Sequence, residues 1–479
     1  MISFLISLAT LLLGYFSYGM FVENVFGADS SRRTPAYTKE DGVDFVPLSW
    51  PRIFLIQFLN IAGLGPIYGA ILGALYGPAS FLWIVLGSIF AGGVHDYFSG
   101  MLSVRHEGKS ISEIVGIYLG RKARVAIIVF STILLILIGT VFMSGPAGLM
   151  ANLGFTGLLA QSNFWLVIIL LYYFLATVDP IDKIVSRIYP LFGAVLLIMA
   201  LGIVSMLLIK GYEIPEIAFR SFHPEGLPLW PMLFVTIACG AVSGFHSTQS
   251  PVMSRCLTNE KYGRRIFYGA MIAEGVIALI WAAAAMSFFP GGVTGLSEIT
   301  TAGGAALVVK NVSLGLLGPV GGILAILGVI ACPITSGDTA FRSVRLTIAD
   351  AINLDQRPLK NRLIIALPIF AIGFSLTLID FSIVWRYFAF SNQALATIVL
   401  WTSAVYLSNN DRFHWIATIP AAFMTAVVTT YILQAPEGFS LPTSITYPAG
   451  VGCAAAACGL FATFLRKRSL SSAYSVSKQ

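Results

Sequence analysis

Near the middle of the chain an apolar stretch, residues 230–256, is interrupted by Ser243, Gly244, His246, Ser247, Thr248, Gln249 and Ser250 before Pro251. Hydroxyls and an imidazole at that density can hold a small polar solute through hydrogen bonds, and the histidine can carry a proton near neutral pH. A second interruption, NIAGLGP at residues 60–66, offers Asn60 and two glycines, Gly63 and Gly65. Glycine permits backbone conformations closed to other residues and lets a ligand approach closely. A third polar cluster, PITSGDTAFR at 333–342, contains Thr335, Ser336 and Asp338. A carboxylate among apolar residues can bind a proton or cation, or pair with Arg342 one turn on. His95 and Asp96 are adjacent, and a histidine beside an acid can relay protons, although neighbours on a helix point in different directions. Arg386, Asn392 and Gln393 form another polar set. Arg386 can snorkel, pair with Asp380 or bind an acidic solute. Glu274 is isolated and has no evident role in the sequence.

The elements that must position these residues are membrane helices. The 479 residues are 57% hydrophobic and 11% charged, against about 25% charged in soluble domains. Long apolar runs recur from end to end, so the lipid bilayer is the expected partner and an all-α polytopic membrane protein the expected fold class. Thirteen spans are predicted: 3–26, 52–76, 79–104, 123–143, 163–178, 189–210, 230–256, 265–289, 316–349, 362–379, 381–407, 412–433 and 443–465. The first lacks a basic leader and reads as a retained span rather than a signal peptide. The polar tail after Leu465 is expected to be disordered. The net charge of +7 comes from basic residues scattered over short loops, which argues for membrane orientation and against a nucleic-acid partner. The five cysteines show no metal spacing and no disulfide framework and read as buried small hydrophobes.

Of the 29 lysines and arginines, only Lys210, Arg220 and Lys310 fall in loops of one set, and Arg386 lies within a span; the rest occupy the alternate loops and the tail. Basic residues mark the cytoplasmic side, which places the N-terminus outside and the C-terminus in the cytoplasm. Spans two to six and seven to eleven then form two five-helix sets of opposite orientation, each opening with an interrupted helix. That is the pattern of a five-plus-five inverted repeat with two discontinuous helices. The corresponding division is 1–50 (extra N-terminal span and loop), 51–210 (first repeat), 211–411 (second, inverted repeat) and 412–479 (two further spans and tail). At each break, one half-helix leaves free carbonyls, which suit a cation, and the next leaves free amides, which suit a carboxylate. The amide ends are expected after Gly65 and Ser247, with Pro66, and Pro251 in the same way, opening the second half-helices.

Several stretches resemble the carbon-starvation (CstA) family of bacterial inner membranes: IAGLGPIYGAILGALYGP at 61–78, AGGVHDYFSGMLSVRHEGKSISEIVG at 91–116, CGAVSGFHSTQS at 239–250, SGDTAFRSVRLTIAD at 336–350 and WRYFAFSNQALATIVLW at 385–401. The resemblance implies secondary transport of pyruvate or short peptides, coupled to protons, on the LeuT-like fold of the amino acid–polyamine–organocation superfamily. It also implies that Thr335 and Ser336 are the nearest match to a hydroxyl pair that binds sodium in some relatives.

The resulting expectation is an importer of a small carboxylate or peptide working by alternating access. The solute sits between the two breaks, at Asn60, Gly63, Gly65, Ser243, Gly244, His246, Ser247 and Thr248. Thr335, Ser336 and Asp338 take the coupling ion, a proton or sodium, and His95 and Asp96 serve as a proton relay. No metal and no other cofactor is expected. A channel would show rings of like residues or a continuous polar face, which are not seen. An enzyme would need a motif such as HExxH, which is absent. A nutrient sensor that retains a transporter fold and a sodium-coupled carrier are the remaining alternatives.

Overall fold

The computed structural model describes residues 1–42, 44–178, 182–352, 354–356 and 358–476. Of the basic residues used above, Arg357 and Lys478 lie outside the described residues. The chain runs as α1 Ile2–Phe26, α2 Trp50–Ile61, α3 Gly65–Ala74, α4 Ala79–Arg105, α5 Arg121–Ala151, α6 Ser162–Val178 and α7 Leu191–Ile209. It continues as α8 His246–Ser254, α9 Glu260–Phe288, α10 Val293–Ile352, α11 Leu359–Leu376, α12 Phe381–Asn409, α13 Trp415–Gln434 and α14 Thr443–Val476. Among the described residues ten helices are long and apolar enough to cross a membrane, and eleven if α2 and α3 count as one span bent by 48°. The described residues contain no strand, only an isolated β-bridge between Leu48 and Leu257.

Helix ends depart from the sequence expectation in instructive places. The α5 helix carries polar Ser144 and Pro146 onward to Ala151, because its far end is covered by neighbouring helices rather than lipid. The tail is not irregular: α14 continues to Val476. The α10 helix is one segment only nominally. Gly304 and Gly318 adopt φ +65° and +71°, which breaks it into a short first piece, a second piece and the long helix carrying Thr335–Arg342. Cys239, Cys256 and Cys332 are buried as expected, but Cys453 is exposed and Cys458 partly so, because α14 packs on one side only.

The core is built from the helices that bear the breaks. Trp281, Ala282, Ala283, Ala284 and Ala285 of α9 are fully buried, and this run of small residues lets α3 lie close against it. One face of the bundle is fastened by a charged cluster. Glu260, fully buried, accepts from Arg105 Nε at 2.7 Å and Nη2 at 2.8 Å and from the Asp29 amide at 2.8 Å. The Arg105 guanidinium also lies 4.7 Å over the Phe26 ring. This ties the segment after α1, the end of α4 and the start of α9 together. Arg386, for which snorkelling, a pair with Asp380 and an acidic solute were the alternatives, meets Glu437 at 3.2 Å, while Asp380 caps α12 by accepting from the Ser382 amide at 2.8 Å.

Candidate functional site

Both interruptions are present as breaks in helical backbone. Between α2 and α3 the chain leaves the helix at Ala62 and re-enters at Gly65, with Pro66 in the first turn, where its missing N–H costs nothing. Neither Gly63 nor Gly65 adopts a positive φ. They are needed for space: a Cβ on Gly63 would lie 2.8 Å from the Phe142 ring, and one on Gly65 would run into Cys239.

The second break lies earlier than the sequence suggested. Helix is lost after Thr236 and regained at His246, so residues 237–245 form the irregular segment. Ser247, Thr248, Gln249, Ser250 and Pro251 are inside α8, and Pro251 does not open that half-helix. The turn is made instead by Gly240, at φ +89°, a conformation only glycine adopts without strain. The hydroxyls of Ser247 and Thr248 donate to the carbonyls of Gly244 (2.6 Å) and Phe245 (2.7 Å). In this conformation they satisfy the break's own carbonyls rather than face open space.

Other helices satisfy the rest of this exposed backbone. Trp83 Nε1 donates to Ile237 O at 3.1 Å and Ser88 Oγ to Gly240 O at 3.0 Å, both from α4. Asn392 of α12 accepts at Oδ1 from the Phe245 amide (2.6 Å) and the Ser243 hydroxyl (3.1 Å), while its carbonyl accepts from the Gly244 amide at 3.1 Å. Gln393 Nε2 donates to Phe234 O at 3.0 Å. Replacing Trp83 with phenylalanine removes one neutral donor and strands the Ile237 carbonyl. The expected loss is about 1–3 kcal/mol, read as a lowered melting temperature with the break otherwise intact.

The two breaks touch. Gly65 packs against Cys239, and a Cβ on Gly240 would lie 3.5 Å from Pro66 Cα. Gln57 of α2 donates to Ser250 of α8 at 3.1 Å. Asn60 is buried next to them, at 7% exposure. On the side toward which α3 runs, two cavities of about 370 and 290 Å³ approach the breaks; Tyr68 lines the first, Trp385 the second. Between cavities and breaks stand aromatic rings in sequence: Tyr68 and Trp385 with centroids 6.2 Å apart, Trp385 and Phe388 5.2 Å, Phe388 and Phe142 6.5 Å, Phe142 and Phe245 6.1 Å.

Against α8 lies a chain of ionisable side chains, all fully buried. His95 Nδ1 meets Asp96 Oδ1 at 2.7 Å, His246 Nδ1 meets Asp96 Oδ2 at 2.8 Å, and His246 Nε2 stands 3.3 Å from Glu274 Oε2. His95 and Asp96 do pair, although neighbours on one helix, because Asp96 turns one oxygen to each histidine. Glu274 was missed by the sequence reading: a lone acid in an apolar helix shows no partner until the fold supplies His246. Cys239, His246 and Glu274 also present one donor atom each within 4.8 Å. Their separation along the chain hides this from any spacing rule. The Cys239 sulfur is engaged by Asn392 Nδ2 at 3.2 Å and Ser243 Oγ at 3.4 Å.

The expected ion site on α10 is arranged differently. Asp338 pairs with Arg342 at 3.2 Å, the helical i, i+4 alternative. Thr335 Oγ1 donates to Cys332 O at 2.8 Å. Cys332 reaches the first break, where its sulfur donates to Leu59 O at 3.4 Å and Ala62 O at 3.5 Å. Ser336, one turn on, is buried against Cys332.

The sequence model for "Carbon starvation protein CstA" matches residues 1–153, 148–300 and 292–431. An uncharacterized membrane protein of Haemophilus influenzae is 44% identical over 339 residues, which cover 60% of this chain and 91% of that one. The peptide transporter CstA of Campylobacter jejuni is 26% identical over 572 residues, covering 92% of this chain and 81% of its own. The pyruvate/proton symporter BtsT of Escherichia coli is 28% identical over 353 residues, covering 60% and 49%. Among solved structures, the nucleobase-cation-symport transporter Mhp1 aligns with 14% identity over 84% of this chain and 90% of its own, at a TM-score of 0.52; this likeness shows a shared fold. The chain belongs to the carbon starvation protein CstA family.

Proposed function

We propose that this protein is a secondary active transporter that imports a small carboxylate or a short peptide by alternating access, coupled to protons. The observation that carries the reading is the face-to-face contact of the two helix breaks, Gly65 on Cys239 and Gly240 on Pro66, at the buried centre of the bundle. Unwound backbone at membrane depth is tolerated only where protein or a cavity satisfies it, and paired breaks mark the binding site in transporters of this design. Adding Ser162–Val178 and the interrupted stretch 229–254 to the eleven spans brings the count to thirteen. Read with the basic-residue pattern, they make two inverted sets of five, at 51–210 and 211–411, in a bacterial inner membrane, with the N-terminus outside. In the present conformation the solute site is closed. The rings from Tyr68 to Phe245 separate the cavities from the breaks, and opening them frees the amide ends at Gly65 and His246 for a carboxylate. The names of the relatives, a peptide transporter and a pyruvate/proton symporter, support both solute classes.

A flux panel tests this. The protein in proteoliposomes is offered radiolabelled pyruvate, lactate, alanyl-alanine and trialanine under an inward proton or sodium gradient. The expected result is uphill uptake of at least one of these driven by the proton gradient. Uptake driven by sodium alone would favour the second reading, a sodium-coupled carrier using the hydroxyls of Thr335 and Ser336, which follow Cys332 where it meets the first break. Binding without flux would favour a sensor built on a transporter fold.

A further inference from the structure

We propose that the coupling proton is carried by the buried chain His95–Asp96–His246–Glu274, with Glu274 as the group that gains and loses it. This rests on the transporter reading above and gives that reading its coupling site, in place of Asp338.

A count of protons shows why. Ionised Asp96 accepts one Nδ1–H from each histidine, at 2.7 and 2.8 Å, so Nε2 of His246 is the atom turned to Glu274. At 3.3 Å a bare nitrogen lone pair facing a bare carboxylate would repel, so one proton resides between them, on either partner. In that state the chain carries one net negative charge. A second proton, on Glu274 while His246 is imidazolium, leaves Asp96 and His246 as an ion pair and Glu274 neutral, with no net charge. Both oxygens of Glu274 are buried, with His246 Nε2 3.3 Å from one of them and the Gly240 backbone against the carboxyl, so the His246 ring is the one group beside it that can neutralise it. Of the other titratable groups, Cys239 lies against His246 and Glu274, and Cys332 feels Glu274 from α10. Among the described residues no lysine or arginine is bonded to any of the four.

Burial then supplies the coupling. An uncompensated charge in a dry interior is heavily penalised, so the closed conformation holds the neutral, doubly loaded chain. The singly loaded chain needs water, which reaches it only when the break at 237–245 opens. Two links tie the chain to that opening. Asp96 and Ser88, which bonds Gly240 O, share α4, and His246 is the first residue of α8. An ion drives a conformational change only by binding the two states unequally, and net charge is what distinguishes them here.

The test does not need a transported solute. Infrared difference spectra of the reconstituted wild type, recorded while pH is raised, are expected to show the carbonyl stretch of a buried protonated carboxyl disappearing. Glu274→Gln is expected to lack that band. Cys239→Ser is expected to keep it. Should Glu274→Gln fail to fold, Glu274→Asp, which withdraws the carboxyl from Nε2 by one methylene, is expected to keep the band but titrate it at a different pH. For a solute found in the flux panel, solute-triggered proton uptake seen with an internal pH dye is expected to fall at least about tenfold in Glu274→Gln, because the unequal binding of the proton is gone. A band that persists unchanged in Glu274→Gln or titrates unchanged in Glu274→Asp overturns the proposal. So does stoichiometric zinc in the wild type that is lost in Cys239→Ser, which would make the site a metal centre. A flux panel without transport contradicts the transporter reading separately, since the carboxyl titration is read without solute.

Discussion

Adding a single methyl group at Gly244 is expected to abolish transport and destabilise the protein by roughly 3–6 kcal/mol. A Cβ there would lie 2.6 Å from the Ala396 amide nitrogen and 2.6 Å from Leu395 Cβ, and would also press on the Asn392 carbonyl. Two of these atoms are backbone of α12, which cannot rotate away as a side chain can. If α12 retreats, the three bonds from Ser243, Gly244 and Phe245 to Asn392 lengthen together. The break then loses the partners that make unwound backbone tolerable in the bilayer. Set against a total stability of about 5–15 kcal/mol, that loss is large. Thermal unfolding of purified Gly244→Ala should show it, alongside uptake in proteoliposomes. Gly459→Ala is the control: no atom lies within 4 Å of its added methyl, so it should behave as wild type.

Asp96→Asn is the second large effect. Each Asp96 oxygen accepts from a different histidine. An asparagine keeps one acceptor but turns an NH₂ toward the other ring, which must then present a lone pair. A charge-assisted bond contributes about 1.5–3 kcal/mol and a neutral one about 1 kcal/mol less, so losing one bond and the charge on the other amounts to about 2.5–4 kcal/mol, or on the order of 10²–10³-fold in the population of the assembled site. Proton-driven uptake should fall by at least about a hundredfold on that account. Ser99→Ala, which removes one neutral bond to the His95 carbonyl at 2.7 Å, should keep most of it. The comparison separates the chain of ionisable groups from the local helix that carries it.

How much of this was legible in the sequence depends on the range of the interaction. Hydropathy located the helices because every stretch of lipid-spanning backbone must satisfy itself locally. The first break could be placed at 60–66 because glycine, leucine, glycine and proline act on the backbone where they stand. The second was placed too far along the chain, because Ser247–Ser250 look disruptive yet fit a helix well once their hydroxyls bond back to carbonyls three or four residues earlier. The true turn at Gly240 sits among apolar neighbours and gives no polar signal. Contacts across helices left no trace at all. Glu274 is a lone acid, and Asn392 one member of a polar set without an assigned partner, until α8 and the broken segment are laid against them. The Asp338–Arg342 pair, by contrast, joins residues four apart on one helix and was visible from the start.

Under the proposed mechanism, solute passes between the two breaks. Cys239 tests it directly, since it lies on the second break against Gly65 and is buried in this conformation, at 2% exposure. In a variant whose other four cysteines are serines, labelling of Cys239 by a small charged thiol reagent is followed during turnover. Labelling that proceeds under a proton gradient and slows when saturating transported solute is present is the predicted result. A Cys239 that stays unreactive while transport runs, or that reacts at the same rate with and without solute, would show that the route lies elsewhere.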